Sequence, residues 1–315
     1  MPQTWGQDSQ GGFLTTPELS RKIREAAQPM CRFRQFVRPE EDFGRNMGDE
    51  LDFTKVSDVA TPGRKVSELE TVPTSQITVF KDKVTADEYS LAIDYTWKLE
   101  ILAKLDINSP VISALKNDMA KVLDKAASLE FRDTDLVYVP YGTNSNKQYV
   151  LYTNATVTPI TQVSTRGMSI WDVKNLIDLM KSTYKMPKFD GTNYMAVTST
   201  THQRTLKDDS EWIEGVKYGD PERFFTGELG RYYGCRFTEE TNSLNGNKPG
   251  GLGEAVYFGE DSVIEIAAYP EELQAKLGED YGRNRGIRWV WVGGFKRTWQ
   301  FSTQGDARHV LVTSA

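Results

Sequence analysis

The sequence has few of the residues on which enzyme chemistry most often depends. Its 315 residues include only two histidines, His202 and His309, and two cysteines, Cys31 and Cys235. A histidine-based triad or a zinc site of several histidines and cysteines therefore has little to draw on. The cysteines lie far apart and form no Cys-x-x-Cys pair, so we expect no disulfide framework and a reducing compartment.

Long hydrophobic runs, an N-terminal leader and an excess of positive charge are also missing. A helix that crosses a bilayer needs ~20 apolar residues, and runs such as 289–292 are far shorter. Residues 1–12 contain neither a basic nor an apolar region, so we predict no signal peptide. The net charge of -6 provides no general attraction to nucleic acid. Because 38% of its residues are hydrophobic and 26% are charged, the chain is predicted to be a soluble, folded protein. Without a signal peptide, it is predicted to be cytosolic in origin.

Four features that could carry chemistry have simpler structural interpretations. His202, among Thr and Gln, is interpreted as a surface residue at a helix start, and Cys235 as a buried structural thiol. The glycine-rich segment 250–253 follows a Pro-containing loop and precedes a strand, so it fits neither the dinucleotide fingerprint nor the Walker loop. The acidic run 208–211 lacks calcium-loop spacing and is predicted to be a solvated loop. We predict no catalytic, cofactor or metal site.

Residues 21–38 form a basic segment with apolar residues between the charges. The segment contains Arg21, Lys22, Arg24, Arg32, Arg34 and Arg38 against one acid, Glu25. Two interpretations stay open. The segment is either a short surface helix with an extended tail, or an arm that lies across another subunit. In the second case its cations meet an acidic neighbour, and Phe33, Phe36 and Val37 dock there.

An alternating pattern over residues 49–95 predicts β-strands. Apolar residues recur at every second position, at Leu51 and Phe53, at Ile77 and Val79, and from Tyr89 to Tyr95. Between the first two strands lies the polar segment 61–70, which begins Thr-Pro-Gly and contains Arg64, Lys65, Glu68 and Glu70. A long polar hairpin tip loses entropy on ordering and buries little by itself. We therefore expect this hairpin to pack on something outside its own domain.

Two helices are predicted from capping signals and apolar spacing. The first begins with Ser109 as N-cap and Pro110 as its first helical residue and runs to about Glu130. Its apolar face is predicted at Val111, Leu115, Met119, Val122, Ala126 and Leu129. The second begins after Ser169, with Asp172 completing a capping box, and cannot continue through Pro187.

Shorter strands and one long strand complete the predicted elements. Strands are predicted at 136–140, 194–198, 255–258 and 309–312, with a short helix near 202–206. A long alternating strand places one set of residues on a single side: Ile287, Trp289, Trp291, Gly293, Phe295 and Phe301. Gly293-Gly294 in its middle predicts a bulge or a bend.

The order of these parts resembles the major capsid proteins of tailed bacteriophages, which share the Hong Kong 97-type fold. It is most similar to the branch typified by coliphage N-four. The residues that carry the resemblance are Phe131-Arg132-Asp133-Thr134-Asp135, the segment Gly227 to Phe237, Ala255 to Asp261, Asp280-Tyr281-Gly282-Arg283 and Gly294-Phe295-Lys296-Arg297. The likeness extends over roughly residues 20 to 312.

The resemblance implies an α+β fold in which each segment of the chain forms a defined part of the subunit. It implies an N-terminal arm (1–48), an extended β-hairpin (49–85), a peripheral domain with a long spine helix (86–133), an axial domain (134–266), a return to the peripheral domain (267–303) and a C-terminal strand joining the axial domain (304–315). It also implies intersubunit contacts, for which the candidates are Arg21, Arg24, Arg32, Arg34, Arg64, Lys65, Glu68 and Glu70.

The function implied is that of a non-enzymatic shell subunit. Hexamers and pentamers of the chain would form an icosahedral shell around phage double-stranded DNA, after assembly in the cytoplasm of the host bacterium. No cofactor or membrane is implied. A separate scaffolding protein is expected, because the first ~20 residues are too few for a fused one. A portal and possible cement proteins are further partners.

Two alternatives belong to other classes of protein. An encapsulin-like nanocompartment would share the fold, but its gene would lie beside a cargo enzyme. An unrecognised cytosolic enzyme would need a concave site with perturbed ionisable groups.

Overall fold

The helices and strands alternate along the chain in a mixed α+β order. The computed structural model describes residues 28–41, 43–56, 59, 62–68, 70–103, 106–155, 160–162, 164–219, 230–244, 253–277, 280–299 and 306–313. The strands are β1 Arg38–Pro39, β2 Glu50–Val56, β3 Val79–Thr85, β4 Asp87–Thr96, β5 Val137–Gly142, β6 Lys147–Tyr152, β7 Tyr194–Thr198, β8 Arg231–Tyr232, β9 Cys235–Glu239, β10 Ala255–Phe258, β11 Val263–Ala275, β12 Asn284–Arg297 and β13 His309–Val312. The helices are α1 Trp97–Leu102, α2 Asn108–Arg132, α3 Ile170–Asp178, α4 Thr200–Lys207 and α5 Ser210–Gly219.

These strands form three sheets. A four-stranded sheet has the order β1-β11-β12-β4, and a seven-stranded sheet has the order β6-β5-β13-β10-β7-β9-β8. The third sheet is the antiparallel pair β2-β3, which is the hairpin predicted from the alternating pattern. β13 lies between β5 and β10, so the end of the chain returns to the middle of the seven-stranded sheet. The predicted boundary at 266/267 falls inside the continuous strand β11.

The seven-stranded sheet carries the larger core. β7 and β10 are buried along their whole length, as short apolar runs in a covered sheet should be. Both strands were predicted with these bounds. Helix α3 covers the sheet with Ile170, Val173 and Leu176, and it begins at the predicted capping box of Ser169 and Asp172. The α-helix ends at Asp178 and a single π-turn, Leu179–Thr183, follows before Pro187.

A buried ion pair ties this helix to the sheet. Arg166 Nη2 donates to Asp172 Oδ1 at 2.7 Å, and the Tyr138 hydroxyl donates to the same oxygen at 2.9 Å. Arg166 Nε donates to the Tyr141 carbonyl and Nη2 to the Gln148 carbonyl, both at 3.0 Å, and Nη1 donates to the Gly167 carbonyl at 3.2 Å. Two charges out of water are stable only when their hydrogen bonds are satisfied, and here they are.

In the acidic run 208–211, Asp208, Ser210 and Glu211 are exposed, as predicted, whereas Asp209 has a structural role that we did not predict. Asp209 Oδ1 accepts the Glu211 amide at 3.1 Å at the start of α5, and its Oδ2 accepts the Ile170 amide at 3.2 Å at the start of α3. Lys147 also lies 3.4 Å from this carboxylate. The short polar residue thus caps two helices at once, which is a tertiary arrangement that spacing alone does not reveal.

Helix α2 packs on the four-stranded sheet with most of the face that we predicted, since Leu115 is buried and the same core cluster is contacted by Val111, Met119, Val122 and Ala126. It spans Asn108–Arg132, and Asp106, which precedes it, accepts the Asn108 amide at 3.1 Å, so Ser109 is not the cap. The fully buried apolar side chains are Leu115, Leu123, Ala127 and Phe131. Leu129, assigned to the buried face, is 55% exposed. Leu129 lies about 200° around the helix axis from Phe131. The two side chains therefore point to nearly opposite sides, and Phe131 is the one that is buried in the core.

Strand β12 continues through Gly293 and Gly294, and the predicted irregularity lies in its pairing beside Gly293, where the extra residue belongs to the partner strand β11. The register shifts fall in the partner strand β11, between Ala267 and Glu272. The glycines allow close packing: a Cβ atom on Gly293 would overlap the Ile266 carbonyl oxygen, and one on Gly294 would overlap the Thr85 carbonyl oxygen. The predicted inward side of β12 is confirmed for Trp289, Trp291 and Phe295, and Phe301 lies outside the described residues.

Candidate assembly surfaces

The hairpin carries ion pairs across its two strands. Lys83 lies 2.6 Å from Glu50, and Lys81 pairs with Asp52. Lys55 Nζ, which is buried, lies 2.9 Å from Asp82. On the base of the hairpin, Leu51, Phe53 and Val84 pack with Ile264 and Ile266 of β11. The base is therefore fixed to the body of the subunit.

The far end of the hairpin presents uncovered apolar side chains. We call Val56, Val59, Val72, Ile77 and Val79 the hairpin patch; each is 46% to 69% exposed. Val56 and Val79 face each other in the register of the two strands. Several large exposed apolar side chains at one end of a hairpin favour an interaction site over a solvated surface. The alternating pattern predicted the strands, but it did not predict that this end would be uncovered.

The polar tip between the strands pairs two of its own charges. Arg64 Nη2 lies 2.6 Å from Glu70 Oε1, so these two residues have a partner within their own copy, and their contact with another subunit stays a prediction. Lys65 and Glu68 are exposed. Of the four tip charges, these two are the ones that the Arg64–Glu70 pair leaves available to a neighbour.

The basic segment is bound to its own copy where the structure describes it. Arg34 Nη2 lies 2.6 Å from Glu265 Oε1, and Arg34 also pairs with Glu271. Arg34 thus has acidic partners within its own copy, and its contact with another subunit stays a prediction. Arg21 and Arg24 lie outside the described residues. Arg32 is exposed and lines an open cleft of about 870 Å³ together with Phe36, Phe189, Arg231, Arg236 and Phe237.

The apolar residues of this segment also belong to the core of the same subunit. Phe33 is fully buried, with its ring 5.5 Å from that of Phe131, and Val37 is buried beside it. Phe36 lies 5.4 Å from Phe258. The segment makes a short 3-10 turn, Arg34–Phe36, and then β1, so these apolar residues dock within their own copy.

A second apolar surface lies at the end of the four-stranded sheet. We call Trp97, Ile101, Leu102, Leu277 and Tyr281 the sheet-end patch. Helix α1 begins there, directly after β4. The Trp97 amide donates to the Arg283 carbonyl at 2.9 Å, which connects α1 to the start of β12. Leu277 is 89% exposed, and Tyr281 is fully exposed with a positive φ of 53°. No periodic pattern in the sequence predicts this patch. The local signal for it is Trp97, a large apolar residue directly after the alternating run.

Comparison with known proteins identifies the class of protein to which these surfaces belong. A protein-family model described as the phage capsid family matches residues 11–211. The chain belongs to the phage capsid family. Its function is that of a major capsid protein, a subunit of a shell built from copies of itself and located in the virion.

Solved structures of phage capsids have the same fold. The asymmetric unit of the cyanophage Pam1 capsid aligns with a TM-score of 0.69 at 13% identity, covering 95% of this chain and 96% of that one. The capsid of Helicobacter pylori bacteriophage KHP30 aligns at 0.67 and 11% identity, covering 94% and 95%. The capsid of Ralstonia phage GP4 aligns at 0.66 and 13%, covering 94% of each chain. The predicted Hong Kong 97-type α+β fold is confirmed. No curated protein matches the chain.

The histidines of this capsid protein are packed in the core. His202, which we predicted at the surface, is buried, and its Nε2 lies 3.1 Å from the Tyr257 hydroxyl. Gly253, with φ of 91°, brings its backbone against the His202 amide, where a Cβ would come within 2.5 Å. Burial lowers the pKa of His202 to about 3 and that of His309 to about 4. Both rings are therefore neutral at physiological pH and serve packing.

The thiols and the acidic side chains provide no metal-binding cluster in the described residues. Cys235 is fully buried, which raises the pKa of its thiol far above the usual value. Burial, with Asp124 and Glu240 nearby, raises the pKa of Cys31 to about 11. Among the residues that the structure describes, no three His, Cys, Asp or Glu side chains converge to hold a metal ion.

Within the described part of the chain, no helix has both the length and the apolar character to span a bilayer.

Proposed function

We propose that the chain forms hexamers and pentamers of an icosahedral shell around phage double-stranded DNA, in the branch typified by coliphage N-four. Assembly takes place in the cytoplasm of the host bacterium, with a separate scaffolding protein, a portal and cement proteins as partners. The division into arm, hairpin, peripheral and axial domains is part of the proposal. It is supported by the two large sheets, whose strands come mainly from the predicted peripheral and axial ranges.

The observation that carries the proposal is the hairpin patch. Its five apolar side chains are left uncovered by their own copy, although the hairpin base is packed on β11. Burying apolar surface gains ~25 cal/mol per Å², so a second copy that covers the patch gains free energy on contact. Lys65 and Glu68 at the tip are the charges available to pair with that copy.

The sheet-end patch provides a second contact of the same kind. It lies at the end of the sheet opposite to the hairpin base, since β4 begins at Asp87 beside the base and ends at Thr96 beside the patch. A subunit with two separate apolar surfaces can contact different neighbours at once. This is what a closed shell requires of each copy.

The direct test is the assembly state of the purified full chain. Sedimentation velocity and electron micrographs, with and without the phage scaffolding protein, should show rings or closed shells. A chain that stays monomeric at high concentration and moderate salt with the scaffold present contradicts the proposal.

A further inference from the structure

Three arginines from separate parts of the chain surround the open cleft beside the N-terminal segment. Arg32 comes from that segment, Arg231 from β8 and Arg236 from β9, and all three are exposed. The cleft has a volume of about 870 Å³, within the range of ~300–1,000 Å³ that is typical of ligand sites. None of these arginines belongs to the hairpin patch or the sheet-end patch, so the cleft is a separate surface of the subunit.

Arg231 and Arg236 form a pair of like charges that the strand register places side by side. They lie directly opposite each other in the antiparallel pair β8-β9. The Phe237 amide donates to the Gly230 carbonyl at 3.0 Å, so the arginines occupy the neighbouring position without such bonds, where side chains are closest. Like charges directly opposite each other in a sheet destabilise it. An anion bound between the two guanidinium groups removes this repulsion.

The three arginines have few acidic partners within their own copy. Arg236 lies 3.6 Å from Asp190 Oδ2, in a long and partly exposed ion pair. Among the residues that the structure describes, neither Arg32 nor Arg231 has an ion pair, and no aspartate or glutamate lines the cleft. The positive charge around the cleft is therefore largely uncompensated.

The floor of the cleft is apolar. Phe36, Phe189 and Met195 line it. The rings of Phe36 and Phe189 are half-buried and pack edge to face, with centroids 5.7 Å apart, and Phe189 packs in the same way on Phe258. The rings are thus packed against one another and are not free platforms on which nucleic-acid bases stack. Such a floor fits an apolar side chain better than a base.

A positive rim over an apolar floor matches a short acidic peptide segment that also carries an aromatic or aliphatic side chain. Guanidinium groups bind carboxylates through charge-assisted, often paired, hydrogen bonds. A DNA duplex would bring phosphates to the rim, but its backbone has no apolar group to fill the floor. The combination of rim and floor therefore favours a polypeptide.

We propose that the cleft binds an acidic segment of a separate protein. Carboxylates of that segment lie on Arg32, Arg231 and Arg236, and one of its apolar side chains lies on the floor. A second copy of this chain is a poorer match, because the hairpin tip carries two basic and two acidic residues, and the hairpin patch and the sheet-end patch contain no acid. All the lining residues belong to one copy, so binding requires neither a ring nor a shell.

Binding of a labelled synthetic peptide to the unassembled full chain tests this proposal. The probe has aspartates on both sides of one phenylalanine, and its binding is followed by fluorescence anisotropy. Arg32→Gln combined with Arg231→Gln should weaken binding by about tenfold, because two partly exposed charge pairs are lost. Arg283→Gln removes another exposed arginine, near the sheet-end patch, and as the control it should leave binding unchanged.

The stability of Arg231→Gln separates a binding role from a structural one. Removing one of two opposed charges relieves their repulsion, so the urea midpoint should equal or exceed that of the wild type. A lower midpoint would mean that the arginine pair stabilises the fold without an anion, and this overturns the proposal.

Further probes distinguish the class of partner. The peptide with alanine in place of phenylalanine should bind more weakly, and single- or double-stranded oligonucleotides should not displace the original peptide. The proposal is overturned if the aspartate peptide does not bind, if the alanine peptide binds as tightly, or if the double variant keeps the wild-type affinity. It is also overturned if an oligonucleotide displaces the peptide, which assigns the cleft to nucleic acid, or if assembly of the chain alone displaces it, which assigns the cleft to a second copy.

Discussion

Gly294 and Thr85 lie in direct backbone contact, so that a Cβ atom at position 294 would overlap the Thr85 carbonyl oxygen. This approach sets the hairpin base against β12, because Thr85 is the last residue of β3. The same hypothetical Cβ would lie 3.3 Å from Val84 Cγ2, in the cluster that fixes the base. The direction in which the hairpin leaves the body thus depends on a residue without a side chain.

Gly294→Val should therefore destabilise the subunit, with a loss of about 1–3 kcal/mol typical of overpacking in a filled site. The shift is measured as the urea midpoint of the unassembled subunit. Gly63→Ala is the matched control, since no atom lies within 4 Å of the Cβ that it would add. If both variants unfold at the same urea concentration, the backbone around Thr85 moves without cost to accept the added side chain, and the prediction is wrong.

Arg166→Met should cost far more than loss of an exposed ion pair. It would leave Asp172 charged in a fully buried site and remove the donors to the Tyr141 and Gln148 carbonyls. Breaking a buried pair typically costs about 3–5 kcal/mol. Lys174→Ala, which removes the partly exposed pair with Glu211, is the control and should cost about 0–1 kcal/mol. A small effect of Arg166→Met would mean that the site admits water.

Removal of the tip, Pro62 to Thr71, should spare the fold of the subunit and damage the shell. The described residues of the tip are mostly exposed, so their loss opens no cavity in the core. Circular dichroism and solubility should be normal, while shells are fragile or absent in electron micrographs. Charge reversal at Arg64 and Lys65 should act in the same direction, more weakly and with a dependence on salt. Unfolded aggregates would place the tip in the core, and normal shells would exclude it from assembly.

Replacement of two residues of the hairpin patch should separate folding from assembly. Val56→Ser with Val79→Ser removes an exposed cross-strand pair, so the urea midpoint of the subunit should change by less than about 1 kcal/mol. Shell yield should fall, because the surface that a neighbour covers has lost its apolar groups. The control is Val84→Ser, at a buried position of the same strand, which should destabilise the subunit itself. A double variant that assembles like the wild type contradicts the role of the patch.

Local patterns predicted much of the fold because short-range physics decides those elements. Alternation identified the hairpin strands and β12, and the Ser169–Asp172 box identified the start of α3. The same patterns failed where distant residues decide. Leu129 lies outside the core because Phe131 fills it, and no local signal tells which of the two will be buried.

Long-range partners explain most of what was missed at the candidate sites. Arg34 was predicted to contact another copy, and no local pattern indicated its partner within its own copy, Glu265, which lies 231 residues away in the sequence. His202 was expected at the surface, but Gly253 and Tyr257 enclose it. Neither contact has a spacing that can be read from the sequence. Exposure of the hairpin patch and of the sheet-end patch likewise becomes visible only when the rest of the chain is in place.

The most direct test of the shell account is an electron cryomicroscopy reconstruction of the assembled particle. The account predicts density for residues 56–79 lying across a neighbouring copy, with the hairpin patch covered and the tip beyond the body of its own subunit. A reconstruction in which the hairpin folds back on its own copy, or in which the hairpin patch faces solvent throughout the shell, would contradict it.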